Sequence, residues 1–205
     1  MGHRTAWLPQ GLPAAGRGRP GRATDRRSGG RRHVKNLDGT GLKRLHRDWR
    51  RRREPEVALL LDSVQTPYNV GAILRTAAAY RVAHLWLAGA TAPPTHSKTA
   101  KTALGTGRYL TWTVCEDVSD AIDGIRAAGY GLVGVELADE AVPIHEVRLP
   151  EKACLALGHE DRGLSATTLA ACDAVAFIPQ LGRVGSLNVA TAAGIALYEL
   201  NRRGW

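Results

Sequence analysis

Ala174-Val-Ala-Phe-Ile178 is a short apolar run. Pro179-Gln-Leu-Gly-Arg-Val-Gly-Ser-Leu-Asn188 then carries two glycines and a polar pair, and Val189-Ala-Thr-Ala-Ala-Gly-Ile-Ala-Leu-Tyr198 is apolar or small on every side. Read in order, this is a strand, a turn and a helix. The same grammar recurs upstream. Further strands are predicted over Val57 to Leu61, His84 to Leu87, Leu110 to Val114, Gly131 to Val135 and Ala153 to Leu157, with helices around Val70 to Tyr80, Val118 to Ala128, Ser165 to Ala171 and Val189 to Arg202. The strand runs are apolar without strict alternation, as in strands covered on both faces. The pattern predicts an α/β domain with a mainly parallel sheet and helices on both faces.

The last helix wants cover all round. One small domain offers a sheet to only one of its faces, which leaves two readings: burial within the chain, or a second copy of the chain against the other face.

The 205 residues and 44% hydrophobic content suit one catalytic domain with an extension. The net charge of +9 is uneven: residues 1–55 hold sixteen Lys and Arg against four Asp and Glu, so this segment is +12 and the remainder −3. A basic arm facing a polyanion is one reading, because Lys and Arg that displace counterions supply sequence-independent affinity for nucleic acid; a solvated charge run is the other. Residues 1–33 mix Gly, Arg and Pro without apolar periodicity and are expected to form a disordered basic extension. Leu42, Leu45 and Trp49 fall at helical spacing among Lys43, Arg44, Arg47 and Arg50 to Arg53, which predicts a basic helical arm over residues 34–55. The domain proper is expected over 56–205.

Cys115, Cys154 and Cys172 are too few and too scattered for a disulfide framework or a metal site, which favours a reducing, cytoplasmic setting. No apolar run approaches the roughly 20 residues needed to cross a bilayer, and no signal peptide is legible. The histidines show no ligand spacing, so no metal is expected. Gly105-Thr-Gly-Arg-Tyr-Leu110 lacks the last glycine of a dinucleotide fingerprint, and no phosphate-binding loop is present.

Chemistry concentrates in three blocks: Leu61-Asp-Ser-Val-Gln-Thr-Pro-Tyr-Asn-Val-Gly-Ala-Ile-Leu-Arg-Thr-Ala77, Leu157-Gly-His-Glu-Asp-Arg-Gly-Leu-Ser165 and Ile178-Pro-Gln-Leu-Gly-Arg-Val-Gly-Ser-Leu-Asn-Val-Ala190. Each joins an apolar run to a glycine-bearing turn or a helix start. Ligands of open α/β sheets bind outside the carboxyl ends of the strands. Two glycine-bearing loops there bring main-chain groups close to a flat ring, with Leu157, Ile178 and Leu187 as apolar cover.

Together the blocks resemble the three motifs of the SPOUT superfamily of RNA methyltransferases, in its SpoU/TrmH branch of ribose 2′-O-methyltransferases. The resemblance covers about residues 56 to 202. It implies S-adenosyl-L-methionine as cofactor, tRNA or rRNA as substrate, a deep C-terminal trefoil knot and a homodimer. Carried over by residue, it implies Asn69 and Arg75 as the polar pair of the first motif, Glu160 as the acid of the second, and Ser186 and Asn188 as the polar pair of the third. The cofactor is expected on Leu157, Gly158, Gly163, Ile178, Leu181, Gly182, Ser186 and Leu187. Arg44, Arg47, Arg50, Arg51, Arg52 and Arg53, with Lys98, Lys101 and Arg108, are the expected RNA contacts.

Within that reading Arg75 is the expected catalytic residue. Free guanidinium stays protonated to about pH 12, so it acts either as a group made basic by its setting or as a cation on phosphate and forming alkoxide. Asn69 and the Ser186/Asn188 pair are expected to cap helices as well as to line the site. Gln180 departs from the family, where an apolar residue, often Met, is common. Two other functions remain open at this level: an RNA-binding protein of the same fold without turnover, and methylation of a base nitrogen.

Overall fold

The computed structural model describes residues 35–51 and 56–204. The expected extension over 1–33, and Arg52 and Arg53 of the basic arm, lie outside the described residues. The chain divides into two units between Leu42 and Lys43, within helix α1 (Gly39–Trp49). Asp38 starts it: its Oδ1 accepts the Gly41 N–H at 2.6 Å, an acidic cap on an unpaired helix donor. Arg44, Arg47, Arg50 and Arg51 are exposed, and no residue of α1 is buried.

The second unit carries the sheet. In chain order its elements are β1 (Glu56–Asp62), α2 (Pro67–Ala79), β2 (Leu85–Ala88), α3 (Ser97–Ala103), a 3-10 turn (Thr106–Tyr109), β3 (Trp112–Cys115), α4 (Val118–Ala127), β4 (Gly131–Val135), β5 (Val142–Pro143), β6 (Lys152–Leu157), α5 (Ala166–Ala171), β7 (Ala174–Phe177) and α6 (Val189–Arg202). Among the described residues the sheet has seven strands in the order β3-β2-β1-β6-β4-β7-β5, and every pairing is parallel.

Alternation along β1 explains why its sequence reads as an unbroken apolar run. Val57, Leu59 and Leu61 enter one core with Ile73 and Leu74 of α2 and Ala193, Leu197 and Leu200 of α6. Ala58 and Leu60 enter a second core with Ala121, Ile122 and Ile125 of α4. Each strand position therefore meets a helix layer on its own side, and neither face is left for polar residues. The register sets Leu59 of β1 opposite Leu155 of β6 and Leu85 of β2, all fully buried.

Three expectations need correction. Helix α2 begins at Pro67, three residues before Val70. Pro67 tolerates the first turn because its missing N–H would have had no partner there. Thr66 is the N-cap residue, so Asn69 lies inside the first turn and is not the cap. Strand β3 begins at Trp112 and not at Leu110: the Leu110 N–H closes the preceding 3-10 turn on the Gly107 carbonyl, and its side chain is buried in the first core. Finally, the two-residue β5 pairs with β7 and carried too short an apolar signal to be read.

Helix α6 buries Val189, Ala193, Ala196, Leu197 and Leu200, while Ile195 is 38% and Tyr198 46% exposed. The chain thus covers one side of this apolar helix and leaves an apolar strip on the other. Among the described residues no helix is long and apolar enough to cross a membrane.

Leu155 is fully buried on a central strand, so Leu155→Ala leaves a cavity between rigid layers. Its expected cost is about 2–5 kcal/mol, read as a lower urea midpoint with unchanged slope.

Candidate active site

The carboxyl ends of β1, β4, β6 and β7 converge, and the chain leaves each of them through a polar or glycine-bearing segment. Asp62 closes β1 and is 4% exposed. Its Oδ2 accepts the Ser165 N–H at 3.0 Å and the Thr168 hydroxyl at 2.7 Å, which fixes the start of α5 beneath the site. Ser165 is the N-cap of that helix, its hydroxyl accepting the Thr168 N–H. Glu136 follows β4 and accepts the Leu164 N–H at 2.9 Å and the Leu137 N–H at 2.9 Å.

Between these anchors runs the loop Gly158 to Ser165. His159 and Gly163 exchange main-chain hydrogen bonds, each 2.9 Å, and pinch the loop closed. Glycine is required at both crossing points. A Cβ on Gly158 would collide with the main chain of Gly163, and one on Gly163, which has φ +68°, would collide with the Glu136 carboxylate.

Glu160 projects from this loop to the start of α2. Its Oε2 accepts the Gln65 N–H at 3.2 Å, and its Oε1 accepts the Thr66 N–H at 2.9 Å and Asn69 Nδ2 at 2.9 Å. The other end of the Asn69 amide accepts Asn188 Nδ2 at 3.0 Å. Asn188 in turn caps α6, its Oδ1 accepting the Ala190 and Thr191 N–H groups. One continuous chain of hydrogen bonds therefore joins Glu160, Asn69 and Asn188, a polar residue from each of the three sequence blocks. Burial pushes the Glu160 carboxyl up, but hydrogen bonds from Asn69 and Thr66 outweigh it and hold the group down at about 2. It remains an anion at neutral pH, a clamp and not a proton donor.

A cleft of about 280 Å³ lies against this assembly. Of the residues expected at the cofactor, Leu157, Gly158, Gly163, Ile178, Ser186 and Leu187 line it, and so does Glu160. Leu181 and Gly182 do not line it. Past Gln180 the loop swings into solvent, Leu181 is fully exposed, and a Cβ on Gly182 would meet nothing within 4 Å, so close approach is not what that glycine serves. Ser186 lines the cleft without capping α6, a task that falls to Asn188 alone. Arg75 stands exposed on α2 and is not among the lining residues of the cleft.

Several lining residues had not been singled out: Val135, Glu136, Leu137 and Phe177 among them. Val135 and Phe177 end strands β4 and β7, and Glu136 and Leu137 follow β4. The rule that ligands sit beyond parallel strand ends would have marked all four. Among the described residues no three His, Cys, Asp or Glu side chains gather as a metal site. Away from the cleft, Lys98, Lys101 and Arg108 are exposed, and the Arg108 guanidinium lies 4.8 Å from the centre of the Tyr109 ring.

Residues 56–198 match the SpoU rRNA Methylase family. The chain belongs to this family. Similar SpoU-type relatives include the tRNA (guanosine(18)-2'-O)-methyltransferase of Escherichia coli K12, 31% identical over 156 residues, covering 74% of this chain and 66% of that protein. The 23S rRNA (guanosine-2'-O-)-methyltransferase RlmB of Coxiella burnetii is 35% identical over 170 residues, with 83% and 66% covered. The solved structure of an AdoMet-bound rRNA methyltransferase from Sinorhizobium meliloti superposes with a TM-score of 0.69 at 34% identity, over 74% of this chain and 57% of that one. The matched region thus spans just under two thirds of the two curated SpoU relatives.

Because the folded pKa of Glu160 lies below its ordinary 4.5, the clamp contributes stability that is complete above about pH 4.5 and is lost as the pH falls toward about 2. Glu160→Gln is expected to lower the melting temperature at pH 7 and to flatten its decline across that window, measured by calorimetry in a pH series.

Proposed function

We propose that this chain is an S-adenosyl-L-methionine-dependent methyltransferase acting on a ribose 2′-hydroxyl of tRNA or rRNA in the cytoplasm. The observation that carries the reading is the hydrogen-bonded chain Glu160, Asn69, Asn188 beside the glycine-lined cleft. The residues present suit the cofactor: Leu157, Ile178 and Leu187 offer apolar cover, Gly158 and Gly163 bring main chain to the wall, and Ser186 and Glu136 bring polar groups. When bound, the cofactor supplies an electrophilic methyl group. The loops carrying these residues are the ones that a trefoil knot would thread.

The chain's own groups do the rest. Glu160 holds the loop over the start of α2 and keeps Asn69 turned toward Asn188. With both amides committed to one another, the polar end of the cleft has a fixed geometry, and positioning of this kind supplies much of a transfer rate. Arg75 serves as the anchor for a substrate phosphate and for negative charge developing on the 2′-oxygen.

Arg75 does not reach the cleft of its own chain, and α2 packs beside α6, whose exposed strip at Ile195 and Tyr198 asks for cover. Both facts fit a homodimer in which this face is shared and Arg75 serves the cleft of the second subunit. RNA approaches through Lys98, Lys101 and Arg108, with the exposed Tyr109 ring offering a stacking face. The arm residues Arg44, Arg47, Arg50 and Arg51 add phosphate contacts, and Arg52 and Arg53 extend that charge run.

Arg75→Ala is expected to reduce transfer of tritiated methyl from labelled donor into bulk RNA by about 100-fold or more, the order seen on removing an electrostatic stabiliser, with donor affinity unchanged by calorimetry. Alkali-resistant linkages in the product identify the 2′-oxygen. Label on a base nitrogen, or full transfer by Arg75→Ala, overturns the reading.

Ile195→Arg places a charge in the apolar strip of α6. Light scattering is expected to give a dimer mass for the parent protein and a monomer mass for the variant.

A further inference from the structure

Two buried side-chain polar atoms among the described residues lack any hydrogen-bond partner: Thr99 Oγ1 and Gln180 Oε1. They differ in setting. Thr99 is fully enclosed on α3, and no solute reaches it. Gln180 lines the cleft, in the company of Val135, Phe177, Ile178 and Leu187. A buried amide oxygen left unpaired is destabilising, and native proteins rarely keep one unless something else completes it. An apolar residue would fill this wall at no such cost.

We propose that Gln180 reads the edge of the donor's adenine ring, its Oε1 accepting the exocyclic amine and its Nε2 donating to a neighbouring ring nitrogen. This rests on the methyl-donor reading given above. The chemistry selects the base over the other parts of the donor. A carboxamide presents an acceptor and a donor side by side, and adenine presents the complementary pair on either of its polar edges. The surrounding apolar side chains suit the faces of a flat ring. Neither the carboxylate of the amino acid end, which has no hydrogen to give a buried oxygen, nor the sulfonium, which has no N–H, completes Oε1. The α-ammonium and the two ribose hydroxyls are the competing donors on the molecule, and the test separates them.

The experiment is calorimetric titration of the full chain with S-adenosylhomocysteine, with 5′-deoxy-5′-methylthioadenosine, which keeps the base and ribose but lacks the amino acid end, and with the 2′,3′-dideoxy form of the latter, which lacks the ribose hydroxyls as well. Gln180→Leu and Gln180→Met are compared with the parent protein. Loss of one to two neutral hydrogen bonds is expected to weaken all three ligands by the same factor, roughly 5- to 30-fold. The melting temperature of the ligand-free variants is expected to stay level or rise, because an unpaired buried amide has been removed. A structural role for Gln180 would lower it instead. Unchanged affinities, weakening confined to S-adenosylhomocysteine, or weakening absent from the dideoxy ligand, overturn the assignment. If the parent protein binds none of the three compounds, the methyl-donor reading itself falls.

Discussion

A single carboxylate, that of Glu160, holds three distant stretches of chain in register. Its two oxygens accept three N–H groups from the start of α2, and through Asn69 the same chain of bonds reaches Asn188 and the first turn of α6. Only an acceptor on both oxygens fits there. An amide would turn an NH₂ toward donors that already point inward, and an apolar side chain would strand them. The depressed pKa is the electrostatic signature of this arrangement: the folded protein favours the charged form because its hydrogen bonds exist only to that form.

The sheet makes the clamp possible. All its strands run parallel, so every strand ends on the same side, and β1 and β6, adjacent at the centre, deliver Asp62 and Gly158 next to each other. Asp62 and Glu136 then fasten the far end of the loop that Glu160 fastens at its middle. Rigid packing below, where Leu59, Leu155 and Leu197 are fully enclosed, keeps these anchor points from drifting. Side chains at the cleft are accordingly set by elements whose own positions are determined elsewhere.

Much of this was legible in the residues. Periodicity located six strands and their helices because parallel strands with two covered faces leave long apolar runs. What escaped detection had a local cause. Strand β5 is two residues long, and β3 was displaced by a 3-10 turn that consumed Leu110. Asn69 read as a helix cap because Asn favours that place, yet Pro67 had already started the helix, and the amide was free to bond across the fold. At the cleft, the glycines of the second block were read as bringing main chain close to a flat ring, whereas their missing Cβ atoms let the chain pass close to itself. The outward turn at Leu181 and Gly182 was not legible, because nothing in the composition of a glycine-rich loop tells which of its residues turn outward. Glu136 went unmarked for another reason: its partners are main-chain groups 28 residues away or next in sequence, a pairing without any pattern in the chain.

The span of the clamp has a kinetic meaning. Glu160 bonds to Asn69 across 91 positions and Asn69 to Asn188 across 119. Contacts of such separation join parts of the chain that are made far apart in time. A chain emerging from synthesis can pair β1 with β2 long before Asn188 exists. The polar geometry of the cleft thus cannot be complete until synthesis has passed Asn188, and every shorter nascent chain is one whose cleft is unfinished.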